Sequence, residues 1–582
     1  MTDIRRTLLW GIFLASLFFI WEAWNRHNGQ PPLFGAPPAR VTAPSTVPAP
    51  AAPPTAALGV PTTPATPTSG AAASPVASAT PAPTPAASAP VAAQQVTVTT
   101  DLVRATIDSI GGTLVRLELL KQAESVESTE HVVLFDSSPT RLYLAETGLV
   151  PPQGGGGLPN HHTPMRIVPG ERSLASGANE LKVVLESEAV GGVKLVKTYT
   201  FHRGDYVIDV QQRIENVGST PVNPRVYLQL VRDGNDASSS YNFYSTFTGP
   251  AIYTDSSHYQ KVDFKSIEKR AASGKPDHET SATNGWVAMV QHYFTSAWLI
   301  DKPGGAPQPR EYFTAKVDTN KYSVGELVPL GEIAPGATKT FDARLYAGPQ
   351  EENYLANLAP GLELVKDYGY FKMLAEPLFW LLTQLHKLIG NWGWSIVALV
   401  VLLKIAFYWL NAKAYGSMAK MKAINPRIME MRERLKDKPQ QMQQEMMRIY
   451  REEKVNPLGG CLPILVQMPF FIALYWVLLS SVEMRNAPWL GWVTDLSAKD
   501  PYFILPLLMT GTTMLQTWLN PTPPDPVQAK VMQIMPFVFS IFFFFFPAGL
   551  VLYWLVNNIL SIAQQWQIQR MFNRDKPAHA KR

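Results

Sequence analysis

Five apolar runs in the last third of the chain, residues 394–410, 458–481, 501–519, 527–546 and 550–568, limit what it can fold into more than any other feature. A hydrocarbon core of about 30 Å takes roughly 20 helical residues, and most of these runs approach that length, the first being the shortest. A sixth run, residues 8–21, follows Arg5 and Arg6 and is succeeded by Trp21-Glu-Ala-Trp-Asn-Arg26, with no small-residue cleavage site. Residues 1–28 therefore read as an uncleaved signal anchor with a cytoplasmic N-terminus. Six spans put both termini on one side of the membrane. Charge agrees with that topology: residues 411–457 carry eleven Lys/Arg against six Asp/Glu and the tail carries Arg570, Arg574, Lys576, Lys581 and Arg582, whereas 482–500 has only Arg485 and Lys499 as cations.

The rest of the chain divides by composition. Residues 29–93 are dominated by Pro, Ala, Thr and Ser and read as a disordered tether. Residues 94–348 alternate with period two, as in Tyr206, Ile208, Val210 and Ile214 against Val207, Asp209, Gln211 and Arg213, and Gly-containing turns such as Ile110-Gly-Gly-Thr113 break the runs. The expectation is one large all-β sandwich on the outer side, with Arg203-Gly-Asp205 as a plain hairpin turn. Residues 349–391 connect to the membrane part. There Phe371, Leu374, Leu378, Leu381, Leu382, Leu385, Leu388 and Ile389 share a helix face opposite Lys372, Glu376, Thr383 and Lys387, which predicts a helix lying flat on the outer interface. Residues 392–570 form a five-span core, with a cytoplasmic helical hairpin at 411–457, and 571–582 form a cytoplasmic tail. The fold class is a polytopic α-helical membrane protein with a β-sandwich domain.

Several functions are set aside by composition. The single cysteine, Cys461, allows neither an intrachain disulfide nor a cysteine-type zinc site. A net charge of +5 over 582 residues, with no basic run interleaved with aromatics, gives no nucleic-acid surface. Nucleotide loops, metal triads and nucleophile–base pairs are not in evidence, so the expectation is no enzyme and no cofactor.

One residue breaks the first apolar run of the core, Lys404 in Val397-Ala-Leu-Val-Val-Leu-Leu-Lys-Ile-Ala-Phe-Tyr-Trp-Leu410. A lysine at mid-bilayer costs about 3 kcal/mol on insertion scales. The other spans offer it no carboxylate: Glu22 lies at the outer end of the anchor, Glu483 beyond the third span and Asp525 before the fifth. An unpaired ammonium needs water or a visiting anion, which predicts a hydrated cavity open to the cytoplasm. Ser395, Gln467, Thr510, Thr512, Thr513, Gln516, Ser540, Asn557, Asn558 and Ser561 are candidates to line it, and interhelical hydrogen bonding is the alternative use of each. A snorkelling lysine without function is the plainer alternative for Lys404. The hairpin is rich in methionine, at 418, 421, 429, 431, 442, 446 and 447. Flexible methionine surfaces suit varied apolar partners, and packing between the two helices accounts for them equally well.

The run Asn391-Trp-Gly-Trp-Ser395, together with Ser417-Met-Ala-Lys-Met-Lys422, Glu445-Met-Met447, Glu453-Lys-Val-Asn-Pro-Leu-Gly-Gly-Cys-Leu-Pro463, Gln467-Met-Pro469, Asp500-Pro-Tyr502 and Phe546-Pro-Ala-Gly-Leu-Val-Leu-Tyr-Trp554, resembles the YidC membrane protein insertases of Gram-negative bacteria. Gly285-Trp-Val-Ala-Met289 and Tyr293-Phe-Thr-Ser-Ala-Trp298 extend the resemblance through the β-domain. It implies a bacterial inner-membrane insertase and chaperone, acting alone or with the Sec translocon. A groove open to cytoplasm and lipid would receive the polar tail of a nascent membrane protein.

On that resemblance the groove residues are Lys404, Ser395, Gln467, Thr510, Gln516, Asn557, Tyr553 and Trp554, and the hairpin residues Met418, Met421, Met429, Met442 and Met446 recruit the nascent chain. Further partners it implies are Sec accessory proteins at the β-domain, membrane lipids, the ribosome and the signal recognition particle pathway. The chain departs from the family pattern in three places. Lys404 stands where arginine is usual, so charge is kept without a bidentate fork. Tyr553-Trp554 replaces a tyrosine pair. The tail after Arg570 lacks a long basic extension. A small-solute transporter or channel and an envelope scaffold remain as other readings, the first weakened by spans that hold no Asp, Glu or His.

Overall fold

A computed structural model describes residues 93–124, 128–152, 157–235, 246–273, 276–301, 307–436, 438–453, 462–520 and 526–574. The signal anchor, nearly all of the tether, Cys461 and the last eight residues of the tail lie outside the described residues. The chain falls into a β-unit that ends at Lys366 and a helical unit that begins at Asp367.

Two antiparallel sheets make the β-unit, each with nine strands among the described residues. With strands numbered in chain order, the first sheet runs β1 (Gln95–Thr99), β2 (Val103–Asp108), β3 (Thr113–Ala123), β4 (His131–Ser137), β5 (Leu142–Val150), β10 (Arg225–Asp233), β17 (Lys321–Pro329), β16 (Arg310–Asp318) and β13 (Ser281–Ala282). The second runs β12 (His258–Lys261), β11 (Gly249–Thr254), β14 (Trp286–Val290), β15 (Phe294–Leu299), β18 (Thr338–Pro349), β9 (Val207–Asn216), β8 (Val193–His202), β7 (Glu180–Ser187) and β6 (Met165–Ile167). Strands with one wet face keep the expected alternation: Leu181, Val183 and Leu185 of β7 are buried while Glu180 and Lys182 are exposed. The sheets touch through polar as well as apolar groups. Trp298 Nε1 donates to the Gln229 carbonyl at 3.1 Å, and the Tyr143 and Ser296 hydroxyls meet at 2.5 Å.

Strands β14 and β15 do not alternate, because every residue in them is buried. Beyond α1 (Phe264–Ser273), the short helix α2 (Glu352–Leu358) and the 3-10 turn Leu362–Val365 lay Leu355, Leu362 and Val365 over Trp286, Ala288, Ala297 and Leu299, covering the face that solvent would otherwise wet. Arg203-Gly204-Asp205 is a turn between β8 and β9. Gly204 takes φ +70°, Arg203 Nε donates to the Ala178 carbonyl, and the Tyr354 hydroxyl donates to the Asp205 carboxylate, so both charged side chains are engaged within the unit.

Burial also encloses ionisable groups. Lys197 Nζ donates to the carbonyls of Gly111 at 2.6 Å and Thr147 at 2.7 Å, and burial brings its pKa down to about 7. Glu326 has a fully buried carboxylate 3.6 Å from the equally buried Arg310 guanidinium, and desolvation pushes it up to about 8 in spite of that neighbour.

The helical unit comprises α3 (Lys372–Ile389), α4 (Trp392–Ala406), α5 (Tyr408–Arg434), α6 (Pro439–Glu452), α7 (Leu462–Ser480), α8 (Ile504–Leu519), α9 (Pro526–Phe543) and α10 (Ala548–Arg574). Its core joins Ala375, Leu378 and Leu382 of α3, Ile396, Leu399 and Val400 of α4, Ala473, Leu474 and Val477 of α7, and Leu550, Val551 and Leu552 of α10. Helix α3 buries that face against α4 and α7 and leaves Met373, Trp380 and Leu388 exposed, so Leu388, expected on the buried face, is not covered.

The recognised motifs do local structural work. The Asn391 side chain accepts from Trp394 N at 3.0 Å as the N-cap of α4 and donates to the Pro488 carbonyl at 3.0 Å. A Cβ on Gly393 would stand 2.2 Å from the Trp489 ring, which is why glycine separates the two tryptophans. The Asp500 carboxylate accepts from Leu505 N at 2.6 Å, Tyr502 N at 3.0 Å and Trp492 Nε1 at 3.0 Å, tying the entry of α8. In Pro547-Ala-Gly549, Ala548 N and Gly549 N donate to the carbonyls of Ala498 and Leu496 at 2.7 and 2.8 Å.

Two expectations change. Among the described residues no single helix is long and apolar enough to cross a membrane. Helix α8, for example, has 16 residues, about 24 Å at 1.5 Å per residue. The pair α4 and α5 meets the length and composition requirement together, bent by 67°. The first run therefore does not continue straight to Leu410. It turns at Phe407, whose ring packs edge-on against Phe470 at 5.0 Å, and α5 then runs unbroken through Arg434.

Candidate functional site

Lys404 lies on α4, less than one turn before the bend. Its Nζ donates to Ser561 Oγ on α10 at 2.6 Å, and it forms no ion pair among the described residues. The Ser561 hydroxyl donates to the Asn557 carbonyl one turn back at 2.7 Å. Gln467 of α7 donates from Nε2 to Asn557 Oδ1 at 3.2 Å, and Asn411 Nδ2 of α5 reaches Gln564 Oε1 at 3.4 Å.

These residues line a cavity of about 240 Å³ bounded by α4, α5, α7, α8 and α10. Its wall is Lys404, Asn411, Ala414, Tyr415, Met418, Gln467, Met468, Phe471, Gln516, Asn520, Tyr553, Trp554, Asn557 and Ser561. One side is aromatic. Trp554 stacks on Phe471 with ring centres 4.3 Å apart and meets Phe543 edge-on at 4.1 Å, while Tyr553 is buried beside Phe471. The cavity thus joins one cation, several amides and an aromatic wall. That combination offers an anionic or polar chain a charge and hydrogen bonds.

Six of the eight groove candidates meet here: Lys404, Gln467, Gln516, Asn557, Tyr553 and Trp554. Ser395 and Thr510 do not line the cavity. Ser395 is fully buried and donates to the Asn391 carbonyl at 2.7 Å, and Thr510 donates to the Pro506 carbonyl at 2.8 Å, so each hydroxyl is satisfied by its own helix. The structure adds Asn411, Tyr415 and Asn520. The first two fall at i+7 and i+11 from Lys404, a polar stripe that a sequence boundary at Leu410 cuts off.

The hairpin methionines separate by place. Met421, Met442 and Met446 pack with Ile424, Ile428, Met431, Ile449 and Tyr450 in the seam between α5 and α6. Met429 and Met447 are exposed, and Met418 belongs to the cavity wall. Arg427 of α5 pairs with Glu452 at 3.3 Å and Glu453 at 3.0 Å across the hairpin, while Arg448 pairs with Glu445 and Glu452 within α6 at 2.7 and 3.3 Å.

Residues 95–381 match the family model of the YidC periplasmic domain and residues 384–576 that of the 60Kd inner membrane protein. The membrane protein insertase YidC of Cupriavidus necator is 54% identical over 581 residues, covering 99% of each chain, and that of Cupriavidus taiwanensis is 55% identical over 576 residues, again 99% of each. This chain belongs to the YidC family. The β-unit is the family's periplasmic domain, and the helical unit corresponds to its inner-membrane part. The crystal structure of an active YidC insertase with its first transmembrane domain resolved aligns over 81% of this chain and 91% of that one, at 19% identity and a TM-score of 0.37. Within the helical unit, the cavity around Lys404 brings a charged side chain, amides and aromatic rings together.

Proposed function

We propose that this protein inserts integral membrane proteins into the bacterial inner membrane and helps them to fold, alone or beside the Sec translocon, with the cavity around Lys404 as the cytoplasm-open groove that receives a polar tail. The observation that carries this reading is the lysine itself, set in an apolar helix, held by a neutral hydroxyl and facing amides rather than a carboxylate. A charge so placed attracts the acidic end of an arriving segment, lowering the barrier for the polar tail. Burial of the segment's apolar part, at about 25 cal/mol per Å², supplies the driving force without a nucleotide.

In this reading six spans cross the inner membrane: the signal anchor, α4 with the start of α5, α7, α8, α9 and α10. Both termini and the α5–α6 hairpin are cytoplasmic and the β-unit is periplasmic. Gln467, Gln516, Asn557, Tyr553 and Trp554 contact the substrate together with Lys404, the exposed hairpin methionines meet the nascent chain first, and α3 lies at the outer interface. Nascent membrane proteins and lipids are the primary partners, with Sec accessory proteins, the ribosome and the signal recognition particle pathway as further ones. Photocrosslinking from Gln516 to a ribosome-bound nascent chain tests the reading. Crosslinks confined to the hydrophobic segment and its tail support it, and solute uptake by proteoliposomes without such crosslinks would favour a transporter instead.

A further inference from the structure

The Ser561 hydroxyl has one proton and two lone pairs. Its proton is engaged by the Asn557 carbonyl at 2.7 Å, so what it presents to the cavity is acceptor only. The Lys404 ammonium takes one of those lone pairs at 2.6 Å. Two helices therefore meet on one oxygen, α4 through Lys404 and α10 through Ser561. On the far side of the 67° bend at Phe407, Asn411 of α5 reaches the next turn of α10 through Gln564.

We infer that Ser561 is a positioning residue for the groove charge. A lysine carries its charge on four single bonds and, unlike arginine, has no rigid fork to orient it. Ser561 supplies the missing orientation. It fixes one of the three ammonium N–H groups, leaving the other two for the tail of a substrate, and it holds the ammonium inside the groove against snorkelling toward the cytoplasm. The hydroxyl and the lysine act as one unit.

The inference rests on the groove reading, and the test separates the two. Full-length protein in proteoliposomes is given two single-span substrates that differ only in a short N-terminal tail, aspartates in one and asparagines in the other, and the ratio of their insertion rates is read. Ser561→Ala is expected to lower that ratio about five-fold, the scale of one interhelical hydrogen bond in a membrane. Ser561→Thr, which keeps the hydroxyl, restores it. In a Lys404→Met background Ser561→Ala produces no further fall in the ratio, whereas a purely structural role would depress both substrates alike in either background. An unchanged ratio in Ser561→Ala with a lowered ratio in Lys404→Met overturns the positioning role and leaves the groove charge standing. An unchanged ratio in Lys404→Met overturns both.

Discussion

Lys404 and Ser561 lie 157 residues apart in sequence and 2.6 Å apart in space, joining α4 to α10 through a charge-to-hydroxyl contact that no carboxylate among the described residues completes. The arrangement keeps the cation at neutral cost to its neighbours. Ser561 accepts without adding charge of its own, so the ammonium is held and remains available.

Reversing that charge should therefore reverse the preference of the groove. Lys404→Glu is expected to slow insertion of an aspartate-tailed substrate about ten-fold or more and to favour a lysine-tailed one, since like charges in a partly desolvated site repel by more than the roughly 1.4 kcal/mol that a factor of ten represents. Lys404→Arg should stay within about two-fold of the parent. Equal rates for all three proteins in a reconstituted assay would remove the electrostatic role.

Where the sequence announced the site, it did so through residues that are conspicuous in an apolar run. Gln467, Gln516 and Asn557 carry amides that a helix backbone does not absorb, and they line the cavity. Ser395 and Thr510 looked equivalent, yet a hydroxyl can bond the carbonyl four residues back, and the sequence does not say which hydroxyls do so. Asn411 and Tyr415 were hidden for a different reason. Neither Pro nor Gly marks the bend at Phe407, so the helix was assumed to end where its polar residues begin. In the β-unit, alternation located the strands with a wet face, and it was silent on β14 and β15 because α2 and the following turn cover them from outside.

The buried carboxyl of Glu326 makes the β-unit sensitive to alkali. Its folded pKa, raised to about 8 by burial, lies above the ordinary value of 4.5, so between those limits the folded state keeps a proton that the unfolded state releases. Stability from this group is fully present below about pH 4.5 and is lost as pH rises toward 8, by up to about 1.4 kcal/mol for each step of one in pH. Glu326→Gln fixes the neutral form. Its thermal midpoint should exceed that of the parent at pH 8.5 and approach it at pH 5, read from the β-sheet circular dichroism of the detergent-solubilised chain. Midpoints that run parallel across that range would count against the assignment.

Gly393 and Trp489 should behave as a coupled pair. Gly393→Ala places a methyl within 2.2 Å of the indole, and overpacking of this kind costs about 1–3 kcal/mol. The single variant is expected to unfold at lower temperature, and Trp489→Leu, itself destabilising, should then cost less in the Gly393→Ala background than alone. Strict additivity in the double-mutant cycle would mean that the backbone moves aside and that the glycine is there for another reason.

The methionines of the hairpin offer a test in which packing and recruitment separate by position. Met442 sits in the seam with Ile428 and Ile449, while Met429 is exposed on the same hairpin. Met442→Ser removes an apolar side chain from a small core and introduces a hydroxyl there, and should loosen the hairpin by about 2 kcal/mol, seen as faster proteolysis between α5 and α6. Met429→Ser touches no core and should leave proteolysis as in the parent, yet weaken crosslinking of ribosome-bound nascent chains to the hairpin if flexible apolar surface is what holds them. Crosslinking that falls only with Met442→Ser would assign the methionines to packing alone, and recruitment would then rest on the hairpin's charge, whose ion pairs from Arg427 to Glu452 and Glu453 are the next positions to reverse.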